Sequence, residues 1–420
     1  MASTIRTTAR TPGTLQGLML TLPITLAVMG ISVLVPDVPQ LMTAFKDVPH
    51  HEYLIQGGLL TMPALCVALL SPFAGWLADR IGRRALLIGS MVIYAAVGVA
   101  PSVLDGLTPI ILSRTCVGIC EAIIMTVSTT LISDYFDGHA REKWLASQTA
   151  LASLSSLALI PFGGLLARTY GWRGPFGVYL FSVLLAVGIW LFTWEPAPRT
   201  SMLGGLGSER PDKTPRVSEA GAAPDTLPWG RLIGICAITL FASVMFYTIL
   251  TQSSLALATL GVTDAGRLGL LTGIATLGVP TGTFVFRAAA PRLRIGNLLA
   301  LEFLLIAIGF AGMSRASSPW PFVAAAALNQ IGCGMILPTL LTWATRGLAF
   351  SVRGRGTGIW TSVFAVGQFL SGLLVTWLAG MMGGLLHAFL ALAVACAAAT
   401  AFAIIGQLRA RTPATSASGL

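Results

Sequence analysis

The constraint that dominates this 420-residue chain is the recurrence of uncharged apolar stretches about 20 residues long, separated by short charged or Pro/Gly-rich breaks. A helix needs about that many residues to cross the roughly 30 Å of hydrocarbon in a bilayer. No water is available there to satisfy backbone amides and carbonyls, so only helices and closed barrels can span it. The apolarity here is continuous rather than alternating, which excludes a barrel. Composition agrees, with 55% hydrophobic and 10% charged residues where soluble domains carry about 25% charge. The fold expected is therefore an all-α membrane protein.

Reading between the breaks gives twelve transmembrane spans, near residues 15–36, 54–77, 85–105, 107–133, 144–167, 174–194, 231–250, 267–287, 295–314, 319–344, 356–382 and 384–407. The first reads as a retained helix rather than a signal peptide, because no small-residue cleavage site follows a short apolar core. Residues 196–229 hold six prolines, mixed charges and little apolar periodicity, the signature of a flexible linker. The expected organisation is an N-terminal six-helix half (1–195), a cytoplasmic linker (196–229) and a C-terminal six-helix half with a short tail (230–420).

Charge then sets orientation, since Lys and Arg accumulate on the cytoplasmic side of a membrane. With both termini inside, 20 of the 26 basic residues fall on the cytoplasmic side. They include Arg6, Arg10, Arg80, Arg83, Arg84, Arg141, Lys143, Arg199, Arg210, Lys213, Arg216, Arg353, Arg409 and Arg411. The opposite side holds Lys46, Arg168, Arg173, Arg267 and Arg315, and Arg114 lies within a span. The net charge of +10 is thus topological, and it gives no reason to expect a nucleic-acid partner.

Several motifs sit in this framework. Residues Gly75 to Arg84 read G-W-L-A-D-R-I-G-R-R and place Asp79, Arg80, Gly82, Arg83 and Arg84 between the second and third spans. The fourth span contains L-S-R-T-C-V-G (Leu112 to Gly118), G-W-R-G-P-F (Gly171 to Phe176) opens the sixth, and R-G-R-G-T-G (Arg353 to Gly358) precedes the eleventh. Together these resemble the major facilitator superfamily from end to end. That likeness implies twelve helices in two six-helix pseudo-repeats and transport by alternating access. Within the family, V-P-D-V-P (Val35 to Pro39) and P-F-G-G (Pro161 to Gly164) are most similar to twelve-helix drug/proton antiporters. The match is inexact. Ile160 stands where the helix 5 motif has glycine, only Phe162 separates Pro161 from Gly163, and Ser32 replaces an acid of the first span. A weak internal repeat fits two related halves: Ser113, Arg114 and Gly118 align with Asn329, Gln330 and Gly334 at a constant offset of 216, as parallel repeats do in such carriers.

An ionisable side chain at the centre of a membrane helix costs about 2.5 kcal/mol or more unless paired or hydrated, which marks such groups as functional candidates. Arg114 and Glu121, seven residues apart, lie about 20° off a common helical face and about 10.5 Å apart along the axis. That is too far for direct contact and suited to lining one cavity. Glu121 is the expected proton-responsive group, with Arg114 biasing it or binding an anionic group; the bland alternative is that each pairs with a neighbouring helix to hold the bundle. Asp37 is a further candidate for proton coupling, set against simple placement in interfacial water. Arg114, Glu121, Asn329, Gln330 and Gln368 are expected to line the substrate cavity, although interhelical hydrogen bonds explain such amides equally well. Glu302 is read as a packing residue. The family likeness implies that Asp79 and Arg83, with Gly75, Arg80, Gly82 and Arg84, form a gating latch between the second and third spans and the start of the eleventh. It likewise singles out Pro161, Gly163 and Gly164 as the helix 5 motif.

The six cysteines all fall in predicted helices and read as reduced packing residues. His50, His51 and Glu52 share a short loop and are not expected to hold a metal. No G-x-S-x-G, H-E-x-x-H or phosphate loop appears in the sequence, so an enzyme or an ATP-driven pump is not expected, and no cofactor is implied. The function expected is proton-coupled export of a small amphipathic organic compound by a monomeric carrier in a bacterial inner membrane. Proton-coupled uptake of a small organic anion and a non-transporting sensor are the alternatives.

Overall fold

The computed structural model describes residues 12–196, 229–346 and 350–411, and every regular element among them is helical. Most of the expected linker, at 197–228, and the basic residues Arg6, Arg10, Arg199, Arg210, Lys213 and Arg216 lie outside the described residues. The membrane helices are α1 Thr14–Ala44, α2 His51–Ile81, α3 Arg83–Ser102, α4 Leu107–Tyr135, α5 Gly138–Tyr170 and α6 Phe181–Phe192. They continue as α7 Trp229–Thr259, α8 Ala265–Ala289, α9 Ile295–Ser314, α10 Pro319–Thr345, α11 Phe350–Met382 and α12 Leu385–Arg411.

By length and apolarity the helical runs number 11, because Gly138–Phe192 is continuous over 55 residues. At about 1.5 Å per residue such a run exceeds the hydrocarbon thickness more than twofold. It is two spans. Gly171, at φ +68°, ends α5 in a conformation open to glycine, and a 3-10 segment Gly171–Leu180 turns the chain back into α6. The total is the expected twelve.

Prolines explain the other irregularities. In α1 the helix breaks at Pro23 and again at a 3-10 turn Val35–Asp37 that contains Pro36 and is followed by Pro39, where the missing N–H groups cannot continue the ladder. Gly82, at φ +99°, makes the tight turn between α2 and α3.

Two apolar cores organise the molecule, one drawn from α1–α6 and one from α7–α12. The same close crossing occurs in each. A Cβ on Gly118 of α4 would strike the Pro63 backbone of α2, and one on Gly334 of α10 would strike the Val279 backbone of α8. Both members of the second pair lie 216 positions after those of the first, so the weak sequence repeat corresponds to one packing solution used twice.

The cores touch along a seam on the side of the membrane opposite the Gly75–Arg84 turn. Gln56 Nε2 donates to the Thr251 carbonyl (3.2 Å), Thr61 Oγ1 donates to the Phe369 carbonyl (3.0 Å), and Arg168 pairs with Asp264 (3.4 Å). Here α5 crosses α8 glycine against glycine: a Cβ on Gly164 would meet Gly269 and the Ala265 carbonyl, and a Cβ on Gly273 would meet the Pro161 ring. Gly163 abuts the Val33 carbonyl of α1. The P-F-G-G motif therefore seats α5 against α1 on one side and against the other core on the other.

Candidate functional site

Between the two cores lies a cavity of about 370 Å³, within the range of small-molecule sites. Its walls come from α1, α2, α4 and α5 on one side and α7, α8, α10 and α11 on the other. Phe246, Tyr247 and Phe364 give it an aromatic wall, and Ser32, Ser153, Ser156, Thr276 and Thr361 add hydroxyls. Three of the expected cavity residues are present: Glu121, Gln330 and Gln368. Glu121 is the only carboxylate on these walls, and no Lys, Arg or His accompanies it among the described residues.

Glu121 is 4% exposed and packs against the bare Cα of Gly30. The Tyr94 hydroxyl donates to the Leu26 carbonyl (2.7 Å) and also reaches Glu121 Oε1 (3.4 Å). Tyr94 has one proton, and the shorter bond claims it. The longer contact becomes a full hydrogen bond when Glu121 is itself protonated and donates to the Tyr94 oxygen. A carboxyl group with an apolar surround and one weak partner is a group whose charge state depends on how much water reaches it.

Arg114 is placed differently from the cavity-lining role expected of it. Its guanidinium is fully buried and committed to three partners: Nε donates to the Leu59 carbonyl of α2 (3.0 Å), Nη1 to the Tyr179 hydroxyl (2.6 Å) and Nη2 to the Gly30 carbonyl of α1 (2.5 Å). It also stacks over the Tyr179 ring at 5.2 Å. The planar fork and long stem let it staple α1, α2, α4 and the segment before α6, and its side chain is not part of the cavity wall. Arg114 and Glu121 do not pair directly; they meet the same residue, Gly30, from two sides.

Asn329 also turns away from the cavity. Its amide donates to the Ile306 carbonyl of α9 (3.2 Å), the interhelical role weighed for it. Gln330, one residue on, is fully buried at the cavity wall with neither amide atom bonded to protein. Glu302 accepts from the Thr339 hydroxyl (2.5 Å) between α9 and α10. Asp37 lies in the inter-core seam, fully buried.

At the Gly75–Arg84 turn, Arg83 bonds Asp79 (2.9 Å) and also Asp134 of α4, both within the first core. Arg80 stacks over Trp76 at 4.1 Å. A Cβ on Gly75 would meet only the Thr126 methyl, at 4.0 Å, so no close helix crossing occurs there. Glu195 was not anticipated. Its carboxylate accepts the backbone N–H of Arg83 (2.7 Å) and of Arg84 (2.9 Å), capping α3 at its positive end, while Arg84 Nη2 donates to the Trp190 carbonyl (2.5 Å). Asp134, Tyr94 and Tyr179 were likewise missed; a lone hydroxyl-bearing aromatic in the middle of an apolar span is the signal that marks Tyr94.

Twelve membrane helices in two pseudo-equivalent cores among the described residues, with a cavity between them, give the architecture of a membrane transporter. The family model for the Major Facilitator Superfamily matches residues 20–346, and the chain belongs to that superfamily. It is a multi-pass membrane transporter for a small molecule. The Multidrug resistance protein MdtG of Enterobacter lignolyticus is 23% identical over 340 residues, spanning 78% of this chain and 76% of that protein. The Multidrug transporter protein MdtP of Bacillus subtilis is 30% identical over 139 residues, 32% of this chain and 25% of its own length. Among solved structures, a bacterial homologue of the human lysosomal transporter Spinster, inward-facing and unoccupied, superimposes with a TM-score of 0.72 at 19% identity, covering 95% of this chain and 98% of that one.

Proposed function

We propose that this carrier exports amphipathic organic compounds in exchange for protons, with Glu121 carrying the proton. The observation that supports this most is Glu121 itself, the lone carboxylate on an aromatic and aliphatic cavity wall that no basic side chain lines among the described residues, Arg114 lying behind the wall. A cationic or neutral lipophilic cargo suits such a wall, and a proton on Glu121 competes with a cationic one. Release of cargo and uptake of a proton then become alternative ways of neutralising the same group. The names of the MdtG and MdtP relatives point to the same class of cargo. Uptake of an organic anion would need a cation in the cavity, and Arg114 is engaged elsewhere.

In this reading the basic Gly75–Arg84 turn and both termini are cytoplasmic, the seam closes the outer side, and the conformation described faces inward. The functional halves are 1–195 and 230–420, joined by the 196–229 linker, in a monomer of the inner membrane. Asp79 and Arg83 exchange their partners when α11 closes on them, Gln330 and Gln368 hydrogen-bond the cargo, and Pro161, Gly163 and Gly164 hold the outer seal.

The test is accumulation of a labelled panel of lipophilic compounds in cells expressing wild type or Glu121→Gln, with and without a protonophore. Proton-driven export lowers accumulation in wild type only, and Glu121→Gln abolishes it at unchanged membrane abundance. Export that persists in the Gln variant would refute the assignment.

A further inference from the structure

The outer seam contains an acid that the cycle above does not use. Asp37 ends the 3-10 turn Val35–Asp37 and is 0% exposed, and neither carboxylate oxygen has a hydrogen-bond partner. It stands at the N-cap of the short helix Val38–Ala44 yet makes no capping bond. Such a side chain normally accepts from the second or third N–H of the helix, and the second position is Pro39, which has none. The turn packs against α5, α7 and α8, and Val35 joins Ile31, Ile160 and Leu250 in an apolar cluster spanning both cores.

The ionisable side chains that these elements carry toward this end are Arg168 and Tyr170 on α5, Tyr247 on α7 and Arg267 with its capping Asp264 on α8, and His51 and Glu52 open α2 near Pro39. Arg168 and Asp264 are paired with each other, and none of these groups bonds to Asp37. An ionised carboxylate without donor or counter-ion is strongly disfavoured in such a place, and a neutral acid is far less so.

We propose that Asp37 is a second proton-binding site, distinct from Glu121, which holds its proton while the outer seam is closed and releases it when the two halves part there. Once ionised by outside water, Asp37 resists return to the seam, so the outer face recloses after it has taken a proton from outside. The reset of the carrier thereby waits on the return of the proton that Asp37 lost on opening, so outside pH controls reclosure at a place the cargo does not occupy, with no net proton moved by this site. The inference rests on the alternating-access reading above, but its test reads the seam and not transport.

Spin labels at Tyr170→Cys and Thr263→Cys, exposed positions near the outer ends of α5 and α8, report the seam distance in full-length protein whose six native cysteines are replaced by alanine, reconstituted in nanodiscs. In the labelled protein with Asp37 intact, the ratio of open to closed populations rises with pH, by up to tenfold per unit, the limit for one proton. Asp37→Asn keeps the seam closed from acid to alkaline pH, whereas Glu121→Gln retains the response. A seam that opens with pH equally in Asp37→Asn, that never responds with Asp37 intact, or that loses its response in Glu121→Gln would overturn the proposal. Should Asp37→Asn fail to fold, Asp37→Glu is expected to move the midpoint of the response, and an unmoved midpoint would overturn it equally. Absence of proton-driven export alongside an intact seam response would refute the export reading alone.

Discussion

Arg114 and Glu121 show what two residues seven apart on one helix can become. Their spacing suited both to lining one cavity, yet only Glu121 is on its wall; the partners that separate their roles include the backbone carbonyls of Leu59 and Gly30, which no sequence motif announces. Arg114 became a staple because its stem reaches past the cavity; Glu121, two methylenes long, remains at the wall. Replacing Arg114 by Ala removes its buried hydrogen bonds to the Leu59 and Gly30 carbonyls and the Tyr179 hydroxyl, each a charge-assisted bond worth about 1.5–3 kcal/mol. The expected outcome is a lowered unfolding temperature in detergent and reduced membrane abundance, with cargo affinity of the surviving protein little changed. A selective loss of affinity at normal thermal stability would return Arg114 to the cavity.

Among the elements, α5 carries the most consequence per residue. The twelve spans were legible because hydrophobic length is a one-dimensional property that needs no knowledge of packing. The role of Pro161, Gly163 and Gly164 was legible only as a likeness, since a close crossing depends on which helix lies opposite. Here the opposite residues are Gly269 and Gly273, and both sides must stay small. Gly164→Val is expected to prevent the seam from closing, cutting transport at least tenfold, with Tyr170→Cys and Thr263→Cys labels fixed at the longer distance; Gly269→Val is expected to reproduce this from the other side. Transport at wild-type rates by either variant would show that the crossing is dispensable. The bond of Arg83 to Asp134 was missed in the sequence because it joins α3 to α4 across 51 positions. Since Asp79 shares Arg83 with it, Asp79→Asn is expected to alter switching more than cargo binding, measurable as a fall in turnover at constant binding affinity.

For the whole molecule the relevant quantity is the balance between conformations, which small energies at the seam can tip. Arg168 and Asp264 are 64% and 35% exposed, so their attraction amounts to about 1 kcal/mol or less. Asp264 also caps α8 through the Arg267 N–H (2.8 Å), worth about 1 kcal/mol. Asp264→Asn keeps the cap and removes the ion pair. It is expected to shift the seam toward the open state by no more than about fivefold, with a smaller shift at high salt. A shift independent of salt would mean that the pair contributes through packing and not through charge.

The repeated crossing of Gly118 on Pro63 and Gly334 on Val279 gives the two halves one shared construction, yet at the position of Arg114 the second half carries Gln330, whose side-chain amide has no partner among the described residues. One half is riveted at this position and, among the described residues, the other is not. A carrier built this way has a frame and a moving jaw. Amide hydrogens in the middle of α4 should exchange with deuterium more slowly than those at the corresponding turn of α10, and cargo should slow exchange chiefly in the second half.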